Sequence, residues 1–88
     1  MKALVLCGGK PQIALIHELK RRNITVILAD ANDKAVAVQY ADVFYKVSTL
    51  DVVGIEKIAL AEKVDFILSV CADQMLLVAA QLSEKLNL

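Results

Sequence analysis
What most limits the folding options of this chain is a set of short apolar runs, each broken by glycine, aspartate or turn residues. The first, Ala3 to Leu6, ends at Gly8-Gly9, and the second, β-branched Thr25 to Ala29, stops at Asp30. Val43 to Val47 follows, then Phe66 to Val70, which is almost wholly apolar. Near-continuous runs punctuated in this way read as strands covered on both faces, as in a parallel sheet.

The intervals between the runs carry helical signals. Pro11 suits the first turn of a helix, where its missing N–H costs nothing. Ile13, Ile16 and Leu19, with Leu15 beside them, form an apolar stripe, while His17, Glu18, Lys20, Arg21 and Arg22 supply a mostly polar remainder. The cations suit the negative end of the helix dipole, and Asn23 suits a left-handed cap. Ala31-Asn32-Asp33 is turn chemistry. The alanine- and valine-rich stretch from Lys34 to Tyr40 predicts a short helical turn crossing the sheet edge. Thr49 or Asp51 caps a helix reaching about Lys63, with Ile55, Ile58 and Ala59 facing inward, and Asp73 opens a last helix to about Leu86. The order β-α-β-(α)-β-α-β-α predicts an α/β fold. It is a three-layer domain over residues 1–88, with a four-stranded parallel sheet, helices on both faces and right-handed crossovers.

Composition narrows the function classes. Ten basic and ten acidic residues cancel, so no cationic surface draws the chain to a phosphate backbone, and no nucleic-acid partner is expected. No apolar run is long enough to span a bilayer, so no membrane partner is expected either. Met1-Lys2 leads directly into the first strand without a signal-peptide pattern, which makes a cytoplasmic location the expectation. Cys7 and Cys71 are too few and too far apart for a secreted disulfide framework. Both follow apolar strands and could face each other as a redox pair or disulfide; the favoured reading is two reduced, semi-buried thiols, since the CxxC spacing that lowers a thiol pKa is absent.

Open parallel sheets bind ligands outside the carboxyl ends of their strands. Three loops fall there: Cys7 to Gln12, Asp30 to Asp33, and Cys71 to Gln74. Gly8-Gly9 allows close backbone approach, and the helix that follows favours an anion; the alternative is a tight turn with no ligand. A dinucleotide fingerprint needs G-x-G-x-x-G, and a phosphate loop needs G-K-[ST]; neither is complete here. Asp30 stands where dinucleotide folds hold a ribose hydroxyl, or it simply starts a turn. Asp73 contacts a substrate amine or caps its helix, capping being the simpler role. His17 lies down the helix from the rim as a half-buried surface residue, and with no second histidine a His-based metal site is not expected. Met75 to Ala80 is six consecutive apolar residues in a helix that should show a polar stripe if one face met water. That pattern suggests a helix covered by a larger protein or by an oligomer interface, and 58% apolar residues in 88 agrees.

The turn Gly8-Gly9-Lys10-x-Gln12, the strand ending in Asp30, Tyr40-Ala41-Asp42-x-Phe44-Tyr45, and Val64-Asp65-Phe66-Ile67 followed by Asp73 together resemble one family across essentially all of the chain. The resemblance is to the N-terminal, Rossmann-like pre-ATP-grasp domain of ATP-grasp ligases, in the carbamoyl-phosphate-synthase-like and amino-acid-ligase branches. It implies a parent enzyme that activates a carboxylate with ATP as an acylphosphate, which an amine then attacks. ATP and magnesium would be held by ATP-grasp domains that this chain lacks, so no cofactor is expected in the chain itself and no activity from it alone. The resemblance places Gly8, Gly9, Lys10 and Asp73 in acceptor-substrate binding, with Gln12 and Asp30 beside them. The implied partners are the ATP-grasp domains of the same polypeptide and a small carboxylate or amine substrate. A free-standing Rossmann-type module binding a nucleotide or effector is the competing reading, and a homodimer through the last helix is a third.

Overall fold
The computed structural model describes residues 1–69 and 73–86, and of residues 73–78 the backbone alone. Strands β1 (Lys2–Leu6), β2 (Thr25–Asp30), β3 (Val43–Lys46) and β4 (Phe66–Leu68) form one sheet in the order β3-β2-β1-β4, with every pair parallel. In the register, Leu4 lies between Ile27 and Ile67, and Val5 between Leu28 and Leu68. The two-residue period of the strands therefore sorts the core into two layers.

Leu4, Leu6, Ile27, Ala29 and Ile67 form one layer with Ile55, Ile58 and Ala59 of helix α2 (Val52–Glu62) and Ala79 and Leu82 of helix α3 (Asp73–Lys85). On the other side, Ala3, Val5, Val26 and Leu28 pack under Ile16 and Leu19 of helix α1 (Pro11–Arg21) and under Ala37. The result is the three-layer α/β arrangement that the apolar runs imply. Ala3 through Leu6 are completely buried, as a central strand requires, and burying each of the two leucines stabilises the fold by about 1.5–3 kcal/mol.

Helix ends follow the local chemistry. Asn23 and Lys63 take the left-handed conformation, with φ of 61° and 55°, and terminate α1 and α2. Asp51, rather than Thr49, caps α2 by accepting a hydrogen bond from the Gly54 amide at 3.0 Å. Three boundaries are shorter than the residue pattern suggests. Of the stretch from Lys34 to Tyr40, only Val38–Tyr40 is helical, as a single 3₁₀ turn. The stretch before it is instead held by separate hydrogen bonds, from Asn32 to Asp30, Lys34 to Asn32, Ala35 to Asn32 and Ala37 to the Gly8 carbonyl at 3.0 Å. The third strand ends at Lys46, opposite Asp30 at the end of β2, and the fourth at Leu68, with Val70 outside the described residues. In α3, Ala79 is buried and Ala80 exposed, whereas the side chains of Met75 to Val78 lie outside the described residues.

Candidate functional site
All four strands run parallel, so their carboxyl ends share one rim. From β1 the chain proceeds outward to β2 and β3, then returns to β4 on the other side of β1. The topological switch point thus lies between β1 and β4, where open α/β sheets form a crevice. Among the described residues, the turn from Cys7 to Lys10 and Ser69 flank it. Asp73 opens α3 at the same rim, and its side chain lies outside the described residues, as does Cys71.

The glycine turn is built differently from a phosphate cradle. Neither glycine has a positive φ; that conformation falls on Cys7, at 79°. Gly8 is buried, and a Cβ added to it would lie 2.9 Å from the Ala35 Cβ and 3.4 Å from the Asp30 carboxylate. The absent side chain therefore makes room for the chain's own 31–37 loop. Gly9 is only half-buried, and an added Cβ would meet nothing nearer than 3.7 Å.

Asp30 holds this turn in place. One carboxylate oxygen accepts the Gly8 amide at 2.6 Å and the other accepts the Asn32 amide at 2.8 Å. The end of β1 is thereby clamped to the end of β2, reinforced by the Cys7 amide donating to the Ala29 carbonyl at 2.9 Å. Asn32 continues the turn by accepting the Lys34 amide at 2.9 Å.

The amino end of α1 offers fewer donors than a typical helix start. Pro11 has no N–H, and the Gln12 and Ile13 amides already donate to the Gly9 and Lys10 carbonyls at 3.0 and 3.1 Å. The Gly9 and Lys10 amides donate to no acceptor among the described residues. The Lys10 side chain beside them is exposed.

Gln12 is not at the rim surface. It is completely buried, and its side-chain amide donates to the Leu6 carbonyl at 2.8 Å and to the Ser69 hydroxyl at 3.2 Å. The helix period does place Gln12 on the same stripe as Ile16 and Leu19, a signal that its polar character masks. Ser69, the one polar residue inside the apolar run from Phe66 to Val70, carries a similar signal.

The other candidates stand apart from the crevice. His17 is exposed rather than half-buried and meets Tyr40 edge-on, with ring centroids 5.0 Å apart. Exposure follows from its place opposite the Ile16 stripe. Cys7, half-buried, is the exception, at the start of the turn that forms one wall. An open groove lined by Lys20, Asn23, Ile24, Thr25 and Asp42 lies at the amino ends of the strands. Its opposite charges already pair, Lys20 to Asp42 at 3.6 Å. The Tyr45 hydroxyl donates to Glu62 at 2.5 Å, and this bond draws the Glu62 carboxyl below the usual carboxylate range while raising the Tyr45 phenol. Among the described residues, no cluster of three or more His, Cys, Asp or Glu is suited to a metal ion, and no helix is long and apolar enough to cross a membrane.

Comparison with known proteins places this geometry. The family described as PylC-like, N-terminal domain matches residues 4–88. None of the curated proteins matches significantly. Among solved structures, phosphoribosylglycinamide synthetase from Anaerococcus prevotii superposes with a TM-score of 0.85 at 22% identity, over 99% of this chain and 22% of that one. N5-carboxyaminoimidazole ribonucleotide synthetase from Thermotoga maritima gives 0.77 at 21% identity, over 96% of this chain and 23% of that one. UDP-glucose 4-epimerase from Thermotoga maritima, solved with UDP-glucose, gives 0.74 at 19%, over 97% of this chain and 34% of that one. At such identities the likeness establishes the fold, and the chain spans between 22% and 34% of these structures' length. The match over residues 4–88 shows that the chain belongs to the PylC-like N-terminal domain family, the Rossmann-like N-terminal domain of ATP-grasp ligases.

Proposed function
We propose that this domain forms the acceptor-substrate side of an ATP-dependent carboxylate–amine ligase and packs against ATP-grasp domains of the same polypeptide. The supporting observation is the wall of the β1–β4 crevice. There the Gly9 and Lys10 amides donate to no acceptor among the described residues and the Lys10 side chain is exposed, donors of the kind that suit a carboxylate. In this reading Gly9 and Lys10 touch the substrate, whereas Gly8, Asp30 and Gln12 shape the turn that presents them. Asp73 completes the set by its position at the start of α3. ATP and magnesium belong, in this proposal, to the other domains.

Titration calorimetry of the 88-residue chain tests this division. No heat of binding is expected with ATP-Mg, and clear micromolar binding overturns the proposal. In the polypeptide carrying the ATP-grasp domains, ADP release should require both a carboxylate and an amine. There Lys10→Ala should raise the KM for the acceptor about tenfold or more while leaving the KM for ATP unchanged. For the competing effector-module reading, NAD, AMP or ATP should raise the Tm of the isolated chain. Stabilisation by any of them would favour that module over the ligase domain.

A further inference from the structure
Gln12 and Ser69 are the two buried polar side chains among the described residues, at 0% and 7% exposure, and they are bonded to each other. They come from opposite walls of the switch-point crevice. Gln12 stands in the first turn of α1 directly behind the glycine turn, and Ser69 immediately follows β4. The same side-chain amide also donates to the Leu6 carbonyl at the end of β1. A leucine would fill this space on the Ile16–Leu19 stripe without any desolvation cost, so volume alone does not account for an amide here. A buried amide costs free energy unless its hydrogen bonds are made, and once made they hold one geometry where an apolar side chain tolerates several.

We propose that Gln12 is a positioning residue: its side chain is a strap that sets the spacing between the glycine turn and Ser69 at the end of β4, and hence the width of the crevice there. Its effect on a substrate rests on the ligase reading above, but the strap itself does not. Gly9 and Lys10 touch the ligand in that reading, and Gln12 touches neither ligand nor solvent. It acts through the Leu6 carbonyl and the Ser69 hydroxyl.

The strap is tested on the isotope-labelled 88-residue chain by NMR, with no reaction needed. The Gln12 carboxamide protons should exchange slowly with water and show a through-bond coupling to the Leu6 carbonyl carbon. Gln12→Leu and Gln12→Met keep the volume and remove the donors. Both should shift the Gly9, Lys10 and Ser69 resonances most, while amides of the β1–β2 ladder keep their exchange protection within about threefold. Ser69→Ala, which removes one arm, should reproduce the change at Gly9 and Lys10 at smaller size, and it carries the test if the Gln12 variants fail to fold. Fast carboxamide exchange in the native chain, or variants whose shifts spread evenly through the core and spare Gly9 and Lys10, would overturn the strap. In the polypeptide carrying the ATP-grasp domains, Gln12→Leu should raise the acceptor KM about 10- to 100-fold with the ATP KM unchanged. An unchanged acceptor KM in an active ligase would refute the positioning role. A wild-type polypeptide with no ligase activity would instead refute the proposed function and leave the NMR result to decide the strap.

Discussion

Replacing Gln12 with glutamate keeps the side chain's shape and turns its donor end into an acid, so the cost should depend on pH. Ionised, the new carboxylate would face the Leu6 carbonyl, which lies 2.8 Å from the native amide nitrogen; two acceptors would then meet in a fully buried site. Protonated, the carboxyl has one O–H with which to replace that bond. The folded state therefore favours the protonated form, and its pKa lies above the unfolded value near 4.3. An acid with a raised folded pKa binds more protons folded than unfolded. Stability is therefore greatest at low pH and falls as pH rises through the window above about 4.3. Holding the proton at pH 7 costs about 2.7 × 1.36, or roughly 3.7 kcal/mol, against about 1 kcal/mol at pH 5. The loss of the second donor, to Ser69, adds about 1 kcal/mol at either pH. Urea denaturation of Gln12→Glu and the native chain, followed by circular dichroism, should thus show a deficit of about 2 kcal/mol at pH 5 and about 4–5 kcal/mol at pH 7. Taking the difference from the native chain at each pH removes the background titration. A deficit equal at both pH values would mean that the side chain leaves the core for water, and the assignment of Gln12 as a buried donor would fail.

The two glycines should respond oppositely to alanine. Gly8→Ala puts a methyl group 2.9 Å from the Ala35 Cβ and should cost about 1–3 kcal/mol in urea denaturation, while Gly9→Ala, with 3.7 Å to its nearest neighbour, should fall within about 0.5 kcal/mol of native. Asp30→Asn turns an N–H donor toward one of the two backbone amides that the carboxylate accepts. It should lower stability by about 2 kcal/mol, with amide exchange accelerated at Gly8 and Asn32. The Tyr45 phenol, whose pKa is raised chiefly by its hydrogen bond to Glu62, should ionise above the usual tyrosine range near 10 in an absorbance titration. Its stabilising share is present below that range and lost as pH rises through the folded value; Glu62→Gln should bring the transition down.

The layers were legible in the residue pattern because burial on both faces leaves a strand few alternatives to apolar residues. Ile55, Ile58 and Ala59 face the core as their spacing indicates, and Asn23 ends its helix left-handed because a short polar side chain tolerates that region. The site was less legible. Gly8-Gly9 suggests freedom for a ligand, yet Gly8 accommodates a loop more than twenty residues downstream, and nothing local to the turn reports a neighbour so distant in sequence. Gln12 reads as a rim residue by its chemistry and as a core residue by its period, and its bond to Ser69 spans 57 positions. Cys7 at φ 79° had no signal in the residue pattern, since cysteine is not a residue that the left-handed region favours.

The place of β1 in the sheet has a consequence for synthesis on the ribosome. Within this domain β1 is made first yet is a central strand, and its two neighbours are far apart in sequence: Thr25–Asp30 soon after it, and Phe66–Leu68 much later. The Lys2 amide waits for Asp65, 63 positions later, to supply its acceptor. Until then the nascent chain carries a strand that is apolar from Ala3 to Leu6 with one edge open, a configuration prone to pairing with the wrong chain. A product released before Phe66 keeps that edge permanently, so premature termination in this domain should yield aggregates rather than a smaller folded core.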